Sequence, residues 1–331
     1  MTQEILPEHK QDYFQNIIGQ EKAKDNLSLH LDGYNTNRFL SPILMVSPRG
    51  TGKTLLATVL AKNLKGSNGE IKPTLSINCA SIKNLGQFVD QLIIPFHNTE
   101  LTYFFDECHL FPKDVSNWLL SVISPNKEKK SFNYHNNIRY DFDYTQTSFI
   151  GCTTNPEKLS EAFKSRLERV DLDDYSDYDL IKILYRNAPD IEFKDTELDI
   201  VSVCRGTPRE VVKLSDRIKQ FCEVKKSNIF EKKDWEYLRK KCGINYLGLN
   251  NHEVKHLLSL KEHGELTITM LAAKLRLDRT TIQRDIERFL MEKSLIFVNQ
   301  NSKRILSKQG CEAIKTVDGL GNFLYYLKYE N

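Results

Sequence analysis

The chain has 331 residues, 40% of them hydrophobic and 27% charged, with a formal net charge of +3. That is enough chain for two or three domains, each with its own core, and no apolar run approaches the ~20 residues that a membrane-crossing helix needs. The seven cysteines (79, 108, 152, 204, 222, 242 and 311) are scattered without a C-x-x-C pair, and the first residues lack a secretory pattern; the expectation is a cytoplasmic protein with reduced thiols, no zinc and no membrane contact.

Within residues 12–32, Gly19-Gln20 opens a helix whose apolar positions Ala23, Leu27 and Leu31 recur every four residues. Ile17 and Ile18 precede it; they read as an adenine clamp or as core residues, and spacing alone favours the core. The apolar run Ile43-Leu44-Met45-Val46 then leads into Ser47-Pro48-Arg49-Gly50-Thr51-Gly52-Lys53-Thr54, and a helical stretch from Leu55 to Lys62 leads out. Strand, glycine-containing loop and helix in that order turn successive backbone N–H groups toward one point at the positive end of a helix. The result is a nest for a polyphosphate, with Lys53 reaching the β/γ oxygens and Thr54 placed to hold Mg²⁺. Ser47 stands where the strict motif has glycine, which is tolerable unless a positive φ is required there.

A second strand is predicted from Leu75 to Ala80, and a third from Glu100 that ends in Asp106-Glu107. An apolar strand that delivers two carboxylates about fifty residues after a Gly-Lys-Thr loop suits Asp106 to the Mg²⁺ shell and Glu107 to polarising the attacking water. Lys127 to Lys130 reads as a solvated charge run, and the alternation of Phe132, Tyr134, Ile138, Tyr140 and Phe142 predicts a hairpin turning near His135-Asn136-Asn137. A further strand, Thr147 to Cys152, ends in Thr153-Thr154-Asn155-Pro156, which reads either as a polar contact to the γ-phosphate or as a Pro-terminated turn.

After Tyr175 the sequence sheds its strands, which marks the first domain boundary. In Arg205-Gly206-Thr207-Pro208-Arg209-Glu210, Thr207 suits a helix cap, Pro208 the first helical position and Glu210 a capping box. Arg209 is then a cation at a positive helix end, which either a bound anion or solvent screening accounts for. From Tyr246 onward the chain holds 13 Lys/Arg against 10 Asp/Glu, while the first 245 residues hold 34 of each. This basic end contains a helix from Asn251 to Glu262, a second beginning at Thr267, and a third from Thr280 with Ile282, Ile286, Phe289 and Leu290 on one face. Thr281, Arg284 and Arg288 lie off that face, and two strands joined by a polar loop at residues 299–303 follow. That is the pattern of a winged helix-turn-helix, with Lys303, Arg304 and Lys308 as a locally positive wing suited to phosphates.

Together these strings resemble the AAA+ ATPases, and within them the RuvB family of Holliday junction branch-migration motors. The resemblance is carried by Ile18-Gly19-Gln20, Asp106-Glu107-x-His109, Phe149-Ile150-Gly151-x-Thr153-Thr154, Ser165-Arg166-Leu167 and Arg205-Gly206-Thr207-Pro208-Arg209, and covers roughly residues 12 to 310. It implies an α/β fold: an AAA+ P-loop core (parallel sheet with flanking helices) over residues 1–175, an all-α lid over 176–245 and a DNA-binding winged helix over 246–331. It implies ATP and Mg²⁺ as cofactors, with Arg49, Gly50, Thr51, Gly52, Lys53, Thr54 and Leu55 around the phosphates, and Ile17, Ile18 and Tyr175 near the nucleotide. Thr154 or Asn155 is then sensor 1, Arg209 is sensor 2 acting in cis, and Arg166 is an arginine finger reaching the neighbouring subunit's ATP. The implied partners are branched or duplex DNA, further copies in a hexameric ring and a RuvA-like junction-binding protein. Two other readings stand beside it: a clamp-loader-like or initiator-like switch, and a winged-helix regulator gated by ATP. Ser47 and Arg49 depart from the family's usual Gly and Pro, and the hairpin is shorter and more polar than the element that docks RuvA.

Overall fold

The computed structural model describes residues 12–123, 130–135, 138–244 and 247–318. They divide into two compact units, one running to Ile183 and taking in Gly206–Val212, the other made of Leu184–Arg205 and the chain from Lys213 onward.

The first unit is built on strands β1 (Ile43–Val46), β2 (Thr74–Asn78), β3 (Thr102–Asp106), β6 (Ser148–Thr153) and β7 (Glu168–Asp171), in the order β2-β3-β6-β1-β7 and all parallel. Between β3 and β6, β4 (Lys130–His135) and β5 (Ile138–Asp143) form the antiparallel hairpin that the alternation predicts. The predicted turn residues Asn136 and Asn137 lie outside the described residues, as do three of the four residues of the Lys127–Lys130 charge run. β1 and β6 are buried along their whole length, as the unbroken apolar runs require of strands covered on both faces.

Side chains alternate between two cores. Leu44, Val46, Tyr103, Phe105 and Phe149 face one, where the rings of Tyr103 and Phe149 stack at 5.6 Å. Ile43, Met45, Phe104, Ile150 and Cys152 face the other. There they meet α1 (Glu21–Asn37), whose Ala23, Leu27 and Leu31 are buried as their spacing predicts, and α2 (Lys53–Lys62) through Leu56 and Leu60. α2 starts two residues earlier than its apolar pattern suggests, because Gly52 at φ 101° caps it and draws Lys53 and Thr54 into the first turn. The register sets Val46 beside Thr153 and Asn78 beside Asp106, so the polar ends of β1, β3 and β6 share one sheet edge. All seven cysteines are free thiols.

The second unit begins with helices and one departure from the all-helical expectation. β8 (Glu192–Phe193) and β9 (Ile229–Phe230) pair in parallel, and the buried rings of Phe193 and Phe230 pack edge to face at 6.0 Å behind them. The helix Pro208–Lys225, whose residues up to Val212 belong to the first unit, begins on the proline that suits a first helical position. Further on come the helices Asn251–His263, Ile268–Leu275 and a third from Arg279 to Glu292 with a π-helical middle. A three-stranded antiparallel sheet of β10 (Leu266–Thr267), β12 (Lys303–Leu306) and β11 (Ile296–Val298) completes a winged helix. Ile282, Ile286, Phe289 and Leu290 all enter its core. No helix among the described residues is long and apolar enough to cross a membrane.

The wing corrects one sequence expectation. Arg304 is buried at 6% exposure and is not offered to a phosphate. Its guanidinium grips Glu287 of the third helix through Nε (2.7 Å) and Nη2 (3.0 Å), and buried His256 Nε2 lies 3.4 Å from the same carboxylate. Strand alternation turns residue 304 inward while Lys303 stays outside, which a charge count along the wing does not register.

Burial alone would raise the Glu287 carboxyl, but the hydrogen bonds from His256 and Arg304 outweigh it and hold the group below the ordinary 4.5. Its contribution to stability is therefore present above pH 4.5 and lost as the pH falls through the lower folded value. Glu287→Ala, which strands a buried guanidinium, should lower the unfolding free energy by about 3–5 kcal/mol at neutral pH, and Glu287→Met with Arg304→Met by far less. Urea denaturation of the three proteins checks this, and the gap between wild type and Glu287→Gln should narrow in acid.

Candidate nucleotide and nucleic-acid sites

The loop after β1 is organised by its own polar groups. Ser47 Oγ and Thr51 Oγ1 are hydrogen-bonded to each other, and Thr51 Oγ1 donates to the Pro48 carbonyl at 2.9 Å. Lys53 Nζ donates to the carbonyls of Ser47 and Pro48, each at 2.8 Å. Ser47 is absent from the positive-φ positions, so the departure from glycine carries no backbone strain. Gly50 is different. It sits at φ 88°, and a Cβ there would come within 2.6 Å of Thr207 Cγ2 and 3.3 Å of Arg209 Cβ. The Arg209 N–H also points at the Gly50 carbonyl, at 3.4 Å. The Arg-Gly-Thr-Pro-Arg string therefore lies against the phosphate loop, and the exposed Arg209 side chain has no hydrogen bond or ion pair among the described residues. Burial draws the Lys53 ammonium below its ordinary value, and Glu107 and Asp106 act against that. An ammonium held by carbonyl oxygens, with carboxylates in range, suits exchange onto phosphate oxygens.

Asp106 closes β3, and Glu107 follows it in the left-handed region at φ 52°. That turn aims Glu107 Oε2 at the end of β6, where it accepts from Thr154 N (3.2 Å) and Thr154 Oγ1 (3.0 Å). Asn155 instead sends its amide to Glu157 Oε1 at 3.0 Å. His109 Nδ1 lies 3.3 Å from Glu107 Oε2 and 3.0 Å from Thr153 Oγ1; burial lowers its pKa, with Glu107 pulling the other way. Mg²⁺ takes hard oxygens and needs few protein ligands, so the Thr54 hydroxyl and the Asp106 carboxylate fit it.

Tyr175 is brought between the helix entry and the loop: a Cβ on Gly19 would lie 3.2 Å from its ring, and one on Gly52 would lie 3.4 Å from its hydroxyl. Gln20 pins this segment through paired bonds with the Asp173 backbone (2.6 and 2.9 Å). Ile17 is committed to the core with Phe14 and Leu27, and Ile18 is half-buried. Arg49 and Leu55 are exposed. The Arg166 side chain donates to the Ala162 carbonyl at 2.7 Å, its one side-chain hydrogen bond among the described residues.

On the third helix of the winged module, the Thr281 hydroxyl is bonded to Asp278, and Arg284 pairs with Asp285 at 2.9 Å on the surface. Arg288 and Lys308 are exposed and make no ion pair among the described residues. Lys303 Nζ stands 3.6 Å from Glu265, a pairing weak enough for a phosphate to displace.

Comparison with known proteins agrees with both halves. Residues 43–174 match the ATPase family associated with various cellular activities (AAA), and residues 246–315 match the RuvB C-terminal winged helix domain. The chain is a diverged RuvB-like AAA+ ATPase. It is 27% identical over 316 residues to the Holliday junction branch migration complex subunit RuvB of Mycoplasmopsis pulmonis, covering 92% of this chain and 96% of that protein. The Wolbachia subunit from Brugia malayi is also 27% identical, covering 93% of each chain. The Thermotoga maritima RuvB Holliday junction branch migration motor superposes with a TM-score of 0.74 at 24% identity, over 92% of this chain and 98% of that one.

Sequence reasoning named Gln20 and His109 of this RuvB-like chain only within the strings that carry the resemblance and gave neither a site role. In equilibrium titration Lys53→Ala should abolish ATP binding, while Glu107→Gln should bind ATP and turn over ~10²-fold more slowly or worse. In the winged module, Arg288→Ala with Lys303→Ala should weaken duplex binding for every sequence alike. The slope of log K against log salt should shrink by roughly 1–2.

Proposed function

We propose that this RuvB-like ATPase is an ATP-driven DNA motor that couples hydrolysis to branch migration of Holliday junctions. The observation that carries the reading is the joining, in one polypeptide, of a phosphate loop and carboxylate pair to a RuvB-type winged helix, in a chain whose branch-migration relatives match over nine-tenths of its length. The clamp-loader-like reading is less favoured, because the ATPases it rests on lack such a last domain. We read three working parts, residues 1–175, 176–245 and 246–331, assembled as a hexameric ring in the cytoplasm, with a RuvA-like protein as junction-binding partner.

In the proposed cycle Lys53 neutralises the β/γ-phosphates, and Thr54 and Asp106 hold Mg²⁺, which supplies charge neutralisation when bound. Glu107 orients the attacking water. Its bonds to Thr154 support Thr154 over Asn155 as the sensor at the strand end. The contact of Arg209 with Gly50 supports a role in cis. Arg166, turned to Ala162 in its own chain, serves the neighbouring subunit.

The test is steady-state ATP hydrolysis by the full chain with and without four-way junction DNA, alongside the appearance of exchanged duplex arms. Junction-stimulated hydrolysis with ATP-dependent exchange supports the motor. Protection of one duplex sequence without exchange would instead make it a regulator. Because an arginine acting on transition-state charge accelerates hydrolysis by on the order of 10³–10⁵, Arg166→Ala should bind ATP and scarcely hydrolyse it. Mixing Arg166→Ala with Lys53→Ala should restore activity with a maximum at intermediate ratios. A flat line at background, with co-assembly seen in sedimentation, would contradict a finger acting in trans.

A further inference from the structure

The edge of the first unit's sheet opposite the phosphate loop holds an amine that the nucleotide chemistry does not use. Lys72 stands two residues before β2, Glu100 two before β3 and Gln146 two before β6. Parallel pairing of those strands gathers all three where the strands begin. Lys72 is only 4% exposed. Its Nζ donates to the Gln146 carbonyl at 2.9 Å and to Ser148 Oγ at 2.8 Å, and has no third hydrogen bond among the described residues. The centre of the Tyr34 ring, from α1, lies 5.0 Å from it.

Lys72 lines a cavity of about 80 Å³ together with Arg38, Lys65, Ser67 and Glu100. The loop after α2 is drawn down onto that cavity. Ser67 N donates to Glu100 Oε2 at 2.8 Å, and a Cβ on Gly66 would collide with the same oxygen. The Lys65 carbonyl accepts from the Tyr34 hydroxyl at 2.6 Å and from Arg38 Nη1 at 3.2 Å, which anchors the guanidinium at this loop. Burial works against the Glu100 carboxylate, yet the Ser67 N–H, Lys72 and Arg38 hold its pKa below the ordinary 4.5.

These surroundings suit a neutral amine better than an ammonium. A free amine has two hydrogens and one lone pair. The Gln146 carbonyl and Ser148 Oγ take the two hydrogens, and the lone pair remains, whereas an ammonium keeps a third N–H without an acceptor. Burial draws the Lys72 pKa down to about 8, with Glu100 opposing and Arg38 adding to the effect. Near neutral pH its amine is then free on the order of 100-fold more often than that of an ordinary lysine. Enclosure keeps large electrophiles out, while the cavity has room for two or three groups of water size, about 30 Å³ each. With Lys72 charged, the lining carries three cations against the single carboxylate of Glu100. Turning that ammonium into an anion leaves two charges of each sign.

We propose that Lys72 is a carbamate-forming site for dissolved carbon dioxide. The Nζ lone pair adds to the carbon of CO₂ and forms an N–C bond; one C=O electron pair moves onto oxygen, and a proton leaves Nζ for the buffer. The carbamate keeps one N–H for its present acceptors, and the Ser148 hydroxyl is free to turn and donate to the new oxygens. Arg38 and Lys65 supply the balancing charge. The site is independent of the motor reading.

The experiment equilibrates the full chain with isotope-labelled CO₂ and bicarbonate near neutral pH, traps carbamates as esters with a trialkyloxonium salt and maps the labelled peptides by mass. The Lys72 peptide should carry at least about tenfold more label than any other lysine peptide. At fixed dissolved CO₂ its label should grow by at least about tenfold as the pH rises from about 6.5 to about 8. Lys72→Arg keeps a cation without a nucleophilic amine and should lose this label alone. Should that variant not fold, Arg38→Gln alters an exposed side chain; it withdraws a counter-charge and should lower the label roughly threefold. Label spread evenly over exposed lysines overturns the proposal, as does a Lys72 label indifferent to pH or undiminished in Arg38→Gln. Stabilisation by bicarbonate that acetate reproduces, without a trapped ester, would make the cavity an anion site and overturn it too.

Discussion

The parallel pairing of β1 with β6 on one side and β7 on the other is the constraint on which the first unit rests. Parallel strands start and stop together, so the polar residues that follow them emerge along one line. Ser47, Glu107 and Thr154 come from stretches about 50 residues apart, yet each immediately follows its strand at this edge. The apolar alternation that fills two cores therefore also sets the spacing of the catalytic candidates. A slip of one residue in β3 would turn Phe104 into the wrong core and carry Asp106 and Glu107 off the edge with it.

Much of this was legible in the sequence because strand ends and glycine loops announce themselves locally. The run Ile43–Val46, the Gly-Lys-Thr turn and the Asp106-Glu107 strand end need no distant information. The start of α2 was misjudged because Gly52 rather than an apolar residue sets it. What the sequence could not display was partnership across the fold. Nothing near residue 107 announces Thr154 as its hydrogen-bond partner, since the two are 47 positions apart. Gly50 looked like a phosphate-loop glycine, and its second duty, making room for Thr207 and Arg209, depends on a segment more than 150 residues away.

The winged module shows the opposite balance. Its helices were legible from one apolar face, but its charges were misread. The stretch from Lys293 to Cys311, free of acids, looked uniformly cationic, whereas its single arginine is spent inside the fold on a glutamate from another element. The remaining surface cations, Arg288, Lys303 and Lys308, are suited to phosphate contact by exposure rather than by proximity in sequence.

The Glu287–Arg304 pair also limits how this module drifts over generations. A change at either position alone passes through a buried, unbalanced charge, which selection removes even if DNA contacts are untouched. Joint replacement by two apolar residues of matching volume is open energetically, but it requires two mutations in one lineage. Descendants of this chain should therefore hold both residues or neither, so the pair offers a marker of common ancestry among sequences whose exposed wing residues have diverged freely.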